Sequence, residues 1–89
     1  MKYFLTAILI MVSALVSGAE GFDAISRIVE QAPVHLVPGG CLLFEHGWTQ
    51  GPGARERLHA AGFAEVTTWQ DLEGRERVSG GRWLAGRSR

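Results

Sequence analysis

The sequence predicts a small α/β unit in the order helix, strand, helix, strand, strand, the last two strands forming an antiparallel hairpin. Three observations predict it. Cys41, Leu42, Leu43 and Phe44 form an apolar run behind the turn Pro38-Gly39-Gly40; too short for a helix, it reads as a strand covered on both faces, hence a piece of a parallel α/β sheet. Ahead of it, Phe22, Ile25, Ile28, Val29, Ala32 and Leu36 recur at the spacing of one helical face. Behind it, residues 65–70 (EVTTWQ) are β-branched and aromatic, followed by a turn and a return strand.

In the first helix Asp23 is expected in the first turn, where its charge suits the dipole. Pro33 removes a backbone donor and makes the helix kink or restart. His35, near its end, reads as a surface histidine. Past the central strand, residues 47–53 read as a loop, with Pro52 suited to start a short helix over 54–61 and Gly62 to cap it in the left-handed conformation, Phe63 folding back. Asp71 and Gly74 mark the hairpin turn, and Gly80 and Gly81 weaken the return strand over 75–84 or mark a bulge.

The chain has 89 residues, so it is at most one small domain; a chain this size buries only about 60% of its unfolded surface. No staple is visible. The single cysteine, Cys41, excludes an internal disulfide and reads as a small buried hydrophobe. No Cys/His cluster has metal-ligand spacing, so no metal is expected. Nine basic residues balance nine acidic ones, so no net field recruits nucleic acid or an anionic membrane. Arg87, Ser88 and Arg89 read as a solvated end.

Composition breaks near Ser13: the only Lys, the only Tyr and both Met lie in residues 1–12, and the remainder is rich in Ala, Gly and Arg. Lys2, an apolar stretch to Val16, and Ser17-Gly18-Ala19 have the order of a secretory signal cleaved after Ala19, with a core too short to span a membrane. The rival reading is a buried hydrophobic segment.

Polar residues cluster where the central strand ends, at Glu45, His46, Gly47 and Gln50. In open parallel sheets ligands bind past the carboxyl ends of strands, so Glu45 either serves a site or orients the following loop. His46 has no partner base or nucleophile nearby in sequence and reads as structural or rim. Trp48, Trp69 and Trp83 are expected to pack. The glycines at 47, 51 and 53 lack the spacing of a dinucleotide fingerprint.

From Ala14 onward the chain, through ALVSGAEGFDAISRIVEQAPVHLVPGG, CLLFEHGWTQG and LHAAGFAEVTTWQDLEGRERVSGGRW, resembles the carboxyl-terminal part of the peptide chain release factor glutamine methyltransferases, the HemK-type family. L-x-P-G-G-x-L alone is common among methyltransferases; joined to E-H-G-W-x-Q-G and D-L-x-G-x-E-R-V-x-x-G-R-W it points to one family. The resemblance implies a class I (Rossmann-like) sheet of seven strands, the last antiparallel, of which this chain would hold the final three. It implies S-adenosyl-L-methionine as cofactor and, as substrate, the glutamine amide in the Gly-Gly-Gln loop of release factors. The transfer it implies is direct, the amide nitrogen attacking the sulfonium methyl.

Departures limit what carries over. The family's glycine-rich loop, the acidic residue after its second strand and its Asn-Pro-Pro-Tyr motif have no counterpart: the chain has no asparagine, no Pro-Pro pair, and a single tyrosine, Tyr3. No catalytic, cofactor-binding or substrate-binding residue is therefore expected, and Glu45, His46, Gly47 and Gln50 remain as family-motif residues without a role. The chain reads as a truncated or mis-started copy without turnover, residues 1–13 being an unrelated hydrophobic leader and 14–89 the carboxyl-terminal portion of a methyltransferase domain. On this reading it is cytoplasmic, its partners are release factors, and an exposed edge of the central strand invites self-association. The alternatives are a small exported non-enzymatic protein that uses residues 1–19 as signal and binds through its sheet, and an inactive competitor of the enzyme or its substrate.

Overall fold

The computed structural model describes residues 7–11 and 18–84. Four strands form one sheet: β1 (Ala7–Met11), β2 (Cys41–Glu45), β3 (Ala64–Gln70) and β4 (Glu76–Arg82), in the spatial order β1-β2-β4-β3. Two helices, α1 (Gly18–Gln31) and α2 (Gly51–Ala61), join β1 to β2 and β2 to β3. β1 runs parallel to β2, in register from Ala7 with Cys41 to Met11 with Glu45, while β4 is antiparallel to both β2 and β3.

The expected order from the first helix onward is present, and β1 is added to it. Within the segment that reads as a leader, residues 7–11 occupy the parallel side of β2, and Ala19 lies inside α1. The exposed β2 edge is therefore corrected: both its sides are paired, and the outer strands are β1 and β3.

The apolar stripe of α1 packs where its spacing predicts. Ile25, Val29 and Ala32 are buried with Leu42 and Phe44 of β2, Ala54 and Leu58 of α2, and Phe63, and Phe22, Ile28 and Leu36 flank them. Pro33 ends the α-helix, which tightens into a 3-10 turn over Ala32–His35, leaving His35 exposed as expected. Because α1 begins at Gly18, Asp23 falls beyond its first turn.

Coverage of β2 on both faces is also corrected. Among the described residues, α1 and α2 share one face, and burial along β2 alternates, with Leu42 and Phe44 buried and Cys41, Leu43 and Glu45 half-buried. The reason is topological. Both connections lead through helices that close on the same core, so alternate β2 side chains face away from it. Cys41, expected to be buried, lies on that second face.

α2 starts three residues earlier than expected, at Gly51 rather than at 54, because a 3-10 turn over Trp48–Gln50 leads straight into it with Pro52 in the first turn. Its end is as expected. Gly62, at φ 97°, donates its N–H to the His59 carbonyl at 3.0 Å, and the Phe63 N–H reaches the Leu58 carbonyl at 3.1 Å. The paired bonds satisfy the last carbonyls and put Phe63 against Leu58 in the core.

In the hairpin, Ala64 pairs with Arg82 and Thr67 with Gly80, so β3 carries an extra residue there, with Glu65 at φ 54°. The bulge thus lies in β3, opposite Gly81. Gly80 answers a different need: any Cβ on it would meet the Leu42 carbonyl oxygen and the Leu43 side chain. The Asp71 carboxylate closes the turn, accepting from the Glu73 and Arg75 N–H groups at 2.8 and 3.0 Å. Trp83 packs on Phe63 with ring centroids 5.1 Å apart, whereas Trp48 and Trp69 are 57% and 48% exposed, correcting the expectation that all three pack.

No described helix is long and apolar enough to cross a membrane. The solvated end at 87–89 lies outside the described residues.

Candidate functional site

The strand-end motif is organised around His46, the first residue past β2. Its backbone N–H continues the pairing with β4 by donating to the Arg77 carbonyl at 2.8 Å, and its ring follows Phe44 on the core face, 1% exposed. The imidazole is held at both nitrogens: Nδ1 lies 2.8 Å from the Gly47 carbonyl oxygen and Nε2 2.8 Å from Ser79 Oγ.

These contacts orient a chain of hydrogen bonds. A peptide carbonyl only accepts, so Nδ1 carries the hydrogen, and in the neutral ring Nε2 accepts from the Ser79 hydroxyl. Ser79 has then used its proton, so Thr68 Oγ1, 2.7 Å away, donates to it. Thr68 in turn accepts from Arg55 Nη1 at 2.8 Å. The direction runs from Arg55 on α2 through Thr68 on β3 and Ser79 on β4 to His46 and Gly47 after β2. Arg55 also pairs with Glu76 at 3.2 Å. One polar path ties α2, β3 and β4 to the motif, and each buried member has a partner.

The loop itself closes by reciprocal bonds. The Gly47 N–H donates to Gln50 Oε1 at 2.8 Å, and the Gln50 N–H donates to the Gly47 carbonyl at 3.0 Å. Gln50 is 3% exposed, and its Nε2 is buried with no hydrogen-bond partner among the described residues. Three of the four motif residues, His46, Gly47 and Gln50, are thus bonded to one another. Glu45, half-buried and opposite Val78 of β4, stands outside the relay.

Ser79, Thr68 and Arg55 have no signal in the sequence that marks them, being small or charged residues far from His46 along the chain. Their alignment follows from strand register, since Ser79 lies opposite both Phe44 and Thr68. A serine hydroxyl against an imidazole nitrogen is the geometry of an activated nucleophile, but both side chains are at most 1% exposed and the residue orienting the ring is a peptide carbonyl, not a carboxylate. The arrangement holds a loop in place. No group of His, Cys, Asp or Glu among the described residues has the geometry of a metal site.

The fold and site define a sheet end with an internally hydrogen-bonded strand-end loop. In curated proteins this sequence has close relatives. It is 54% identical over 70 residues to the release factor glutamine methyltransferase of Xylella fastidiosa (strain Temecula1), which covers 79% of this chain and 26% of that protein. The protein of the same name from Pseudomonas aeruginosa is 55% identical over 71 residues, 80% of this chain and 26% of its own, and that from Escherichia coli (strain K12) is 44% identical over 71 residues with the same coverage. No family model matches. The chain is a relative of the release factor glutamine methyltransferases, equivalent to part of them and spanning about a quarter of their length.

Proposed function

We propose that this chain is the carboxyl-terminal portion of an S-adenosyl-L-methionine-dependent methyltransferase whose substrate is the glutamine amide in the Gly-Gly-Gln loop of release factors. β2, β4 and β3 are then the last strands of a Rossmann-like sheet, residues 14–89 belong to the domain, and residues 1–13 do not derive from it. The observation that carries the reading is identity of 42–55% to proteins of that name over about 80% of this chain. The cytoplasm is the compartment this reading implies.

The residues in hand do not fit the cofactor by themselves. At the carboxyl end of β2 the polar backbone groups of the loop are engaged internally: the Gly47 N–H with Gln50, the Gly47 carbonyl with both His46 and Gln50. No reaction step is therefore assigned to these residues, whose part is to hold the sheet end and its loop.

Two measurements test the reading. Incubated with a release factor and labelled S-adenosyl-L-methionine, the 89-residue chain is expected to transfer no label; transfer at an enzyme-like rate would overturn the assignment of a non-catalytic portion. A hybrid in which residues 19–84 replace the matching segment of the Pseudomonas aeruginosa relative is expected to keep methyl transfer. A folded hybrid without activity would sink the family-level function.

A further inference from the structure

Two apolar side chains at the end of the sheet that carries the strand-end loop do nothing for the fold. Trp48, just past β2, is 57% exposed, and Leu72, in the hairpin turn, stands wholly clear of the surface. The loop after β2 is closed by Gly47 and Gln50, and the hairpin turn by the Asp71 carboxylate with Gly74 at φ 83°. Neither turn needs the apolar residue it carries. Arg75 joins the two: its guanidinium carbon lies 5.8 Å from the centre of the Trp48 ring, its carbonyl accepts from the Asp71 N–H at 2.8 Å across the turn, and its Nη1 donates to Glu73 at 2.9 Å.

A single exposed apolar residue is ordinary on a protein surface. Here two stand at one end of the sheet, in the segments E-H-G-W-x-Q-G and D-L-x-G-x-E-R-V, and an arginine holds the indole between them. Tryptophan and arginine lead the residues that carry binding energy at protein interfaces, and an indole already seated under a cation loses little freedom when a partner covers it. Leu72 protrudes, whereas small-molecule sites are concave and enclose their ligand; the shape fits a protein. Nine acidic residues against nine basic ones give no field for a nucleic acid. The hairpin turn reaches the carboxyl end of β2 because β4 is antiparallel to it, with Glu45 opposite Val78. Ligands approach open α/β sheets from that end, while covering layers lie on the faces.

We propose that Trp48, Leu72 and Arg75 form a docking ridge for the protein that is methylated, holding the release factor on the surface beside its Gly-Gly-Gln loop. An apolar patch of the partner receives the indole and the leucine, and an acidic side chain or main-chain carbonyl accepts from the Arg75 N–H groups that Glu73 does not take. The inference rests on the reading under Proposed function, which supplies the partner. None of the three residues is assigned a reacting atom, so their loss acts on binding of the partner protein and not on the methyl-transfer step.

The test titrates the isotope-labelled 89-residue chain with an intact bacterial release factor and follows the tryptophan indole N–H signals by nuclear magnetic resonance. The Trp48 signal and the backbone signals of residues 71–75 are expected to move, while that of Trp83, packed on Phe63, stays. Trp48→Ala and Leu72→Ser are expected to weaken the complex by about tenfold or more, as loss of an interface anchor does. Val34→Ser, at a residue 81% exposed in the turn before β2 and so at the other end of that strand, is expected to leave it unchanged. Trp48 and Leu72 are both exposed, and circular dichroism checks that their variants keep the fold. Absence of binding, a response at Trp69 in place of Trp48, or a complex indifferent to both variants would each overturn the proposal. In the hybrid enzyme the same two variants are expected to raise KM for the release factor and leave kcat unchanged; a fall in kcat alone would overturn the docking role. An active hybrid whose KM ignores both variants would remove the ridge and keep the methyltransferase reading. Binding that depends on Trp48, with a folded but inactive hybrid, would do the reverse.

Discussion

Ser79 shows how much one small side chain holds. It is fully buried and donates to Nε2 of the neutral His46 ring, while its oxygen accepts from Thr68. Ser79→Ala leaves a buried acceptor and a hydroxyl unpaired, which costs about 1–3 kcal/mol each in mutational data; chemical denaturation is expected to show a loss in that range or above. A loss below half a kilocalorie, on the order of an exposed substitution, would mean that the relay does not stabilise the fold. The sequence reads His46 as structural or rim, because no partner for chemistry lies near it along the chain, and neither its burial nor its partners are legible there. Hydrogen bonds from α2, β3 and β4 depend on register, and register is a property of the paired strands.

At the scale of the element, the caps and turns follow local rules and were the most readable part. Gly62 in the left-handed region is one case. Gly62→Ala puts a Cβ there at a cost of roughly 1–2 kcal/mol, and the expected result is a lower melting temperature with the α2 end frayed, visible as faster amide exchange at Gly62 and Phe63. The hairpin turn is another. N–H groups of the turn, first that of Arg75, hold the Asp71 carboxyl below its ordinary value of 3.8, helped by Arg77 and opposed by desolvation. A folded-state value below the unfolded one means that the contribution to stability is present above pH about 4 and is lost as pH falls through the lower folded value. Asp71→Asn is therefore expected to destabilise the hairpin at pH 7 and to match the parent chain in strong acid; an equal difference at both pH values would show that the charge is not responsible. The start of α2 was less readable, because the turn over Trp48–Gln50 depends on a side-chain bond from Gln50 back to Gly47.

For the whole molecule, the consequence of β1 outweighs the rest. It pairs the parallel side of β2, and an unpaired flat edge there would template association with other chains. Removal of residues 1–11 is expected to raise the apparent mass in light scattering at micromolar concentration relative to the intact chain; an unchanged monomer would mean that β1 protects nothing. The same reasoning explains why the outer strand β3 tolerates its position, since the bulge at Glu65 bends it and charged Glu65 sits on it.

By itself the sequence determined the helix, strand, helix and hairpin order, the stops at Pro33 and Gly62, and the kinship carried by E-H-G-W-x-Q-G, because periodicity, cap chemistry and motif spacing act over a few neighbouring residues. Only the tertiary structure decided that residues 7–11 join the sheet, that both helices lie on one face so that Cys41, Leu43 and Trp69 remain open, and that Ser79 meets His46. Each of these joins residues tens of positions apart, and an apolar pentapeptide reads the same whether it leads a chain or completes a sheet; only the partner strand distinguishes the two.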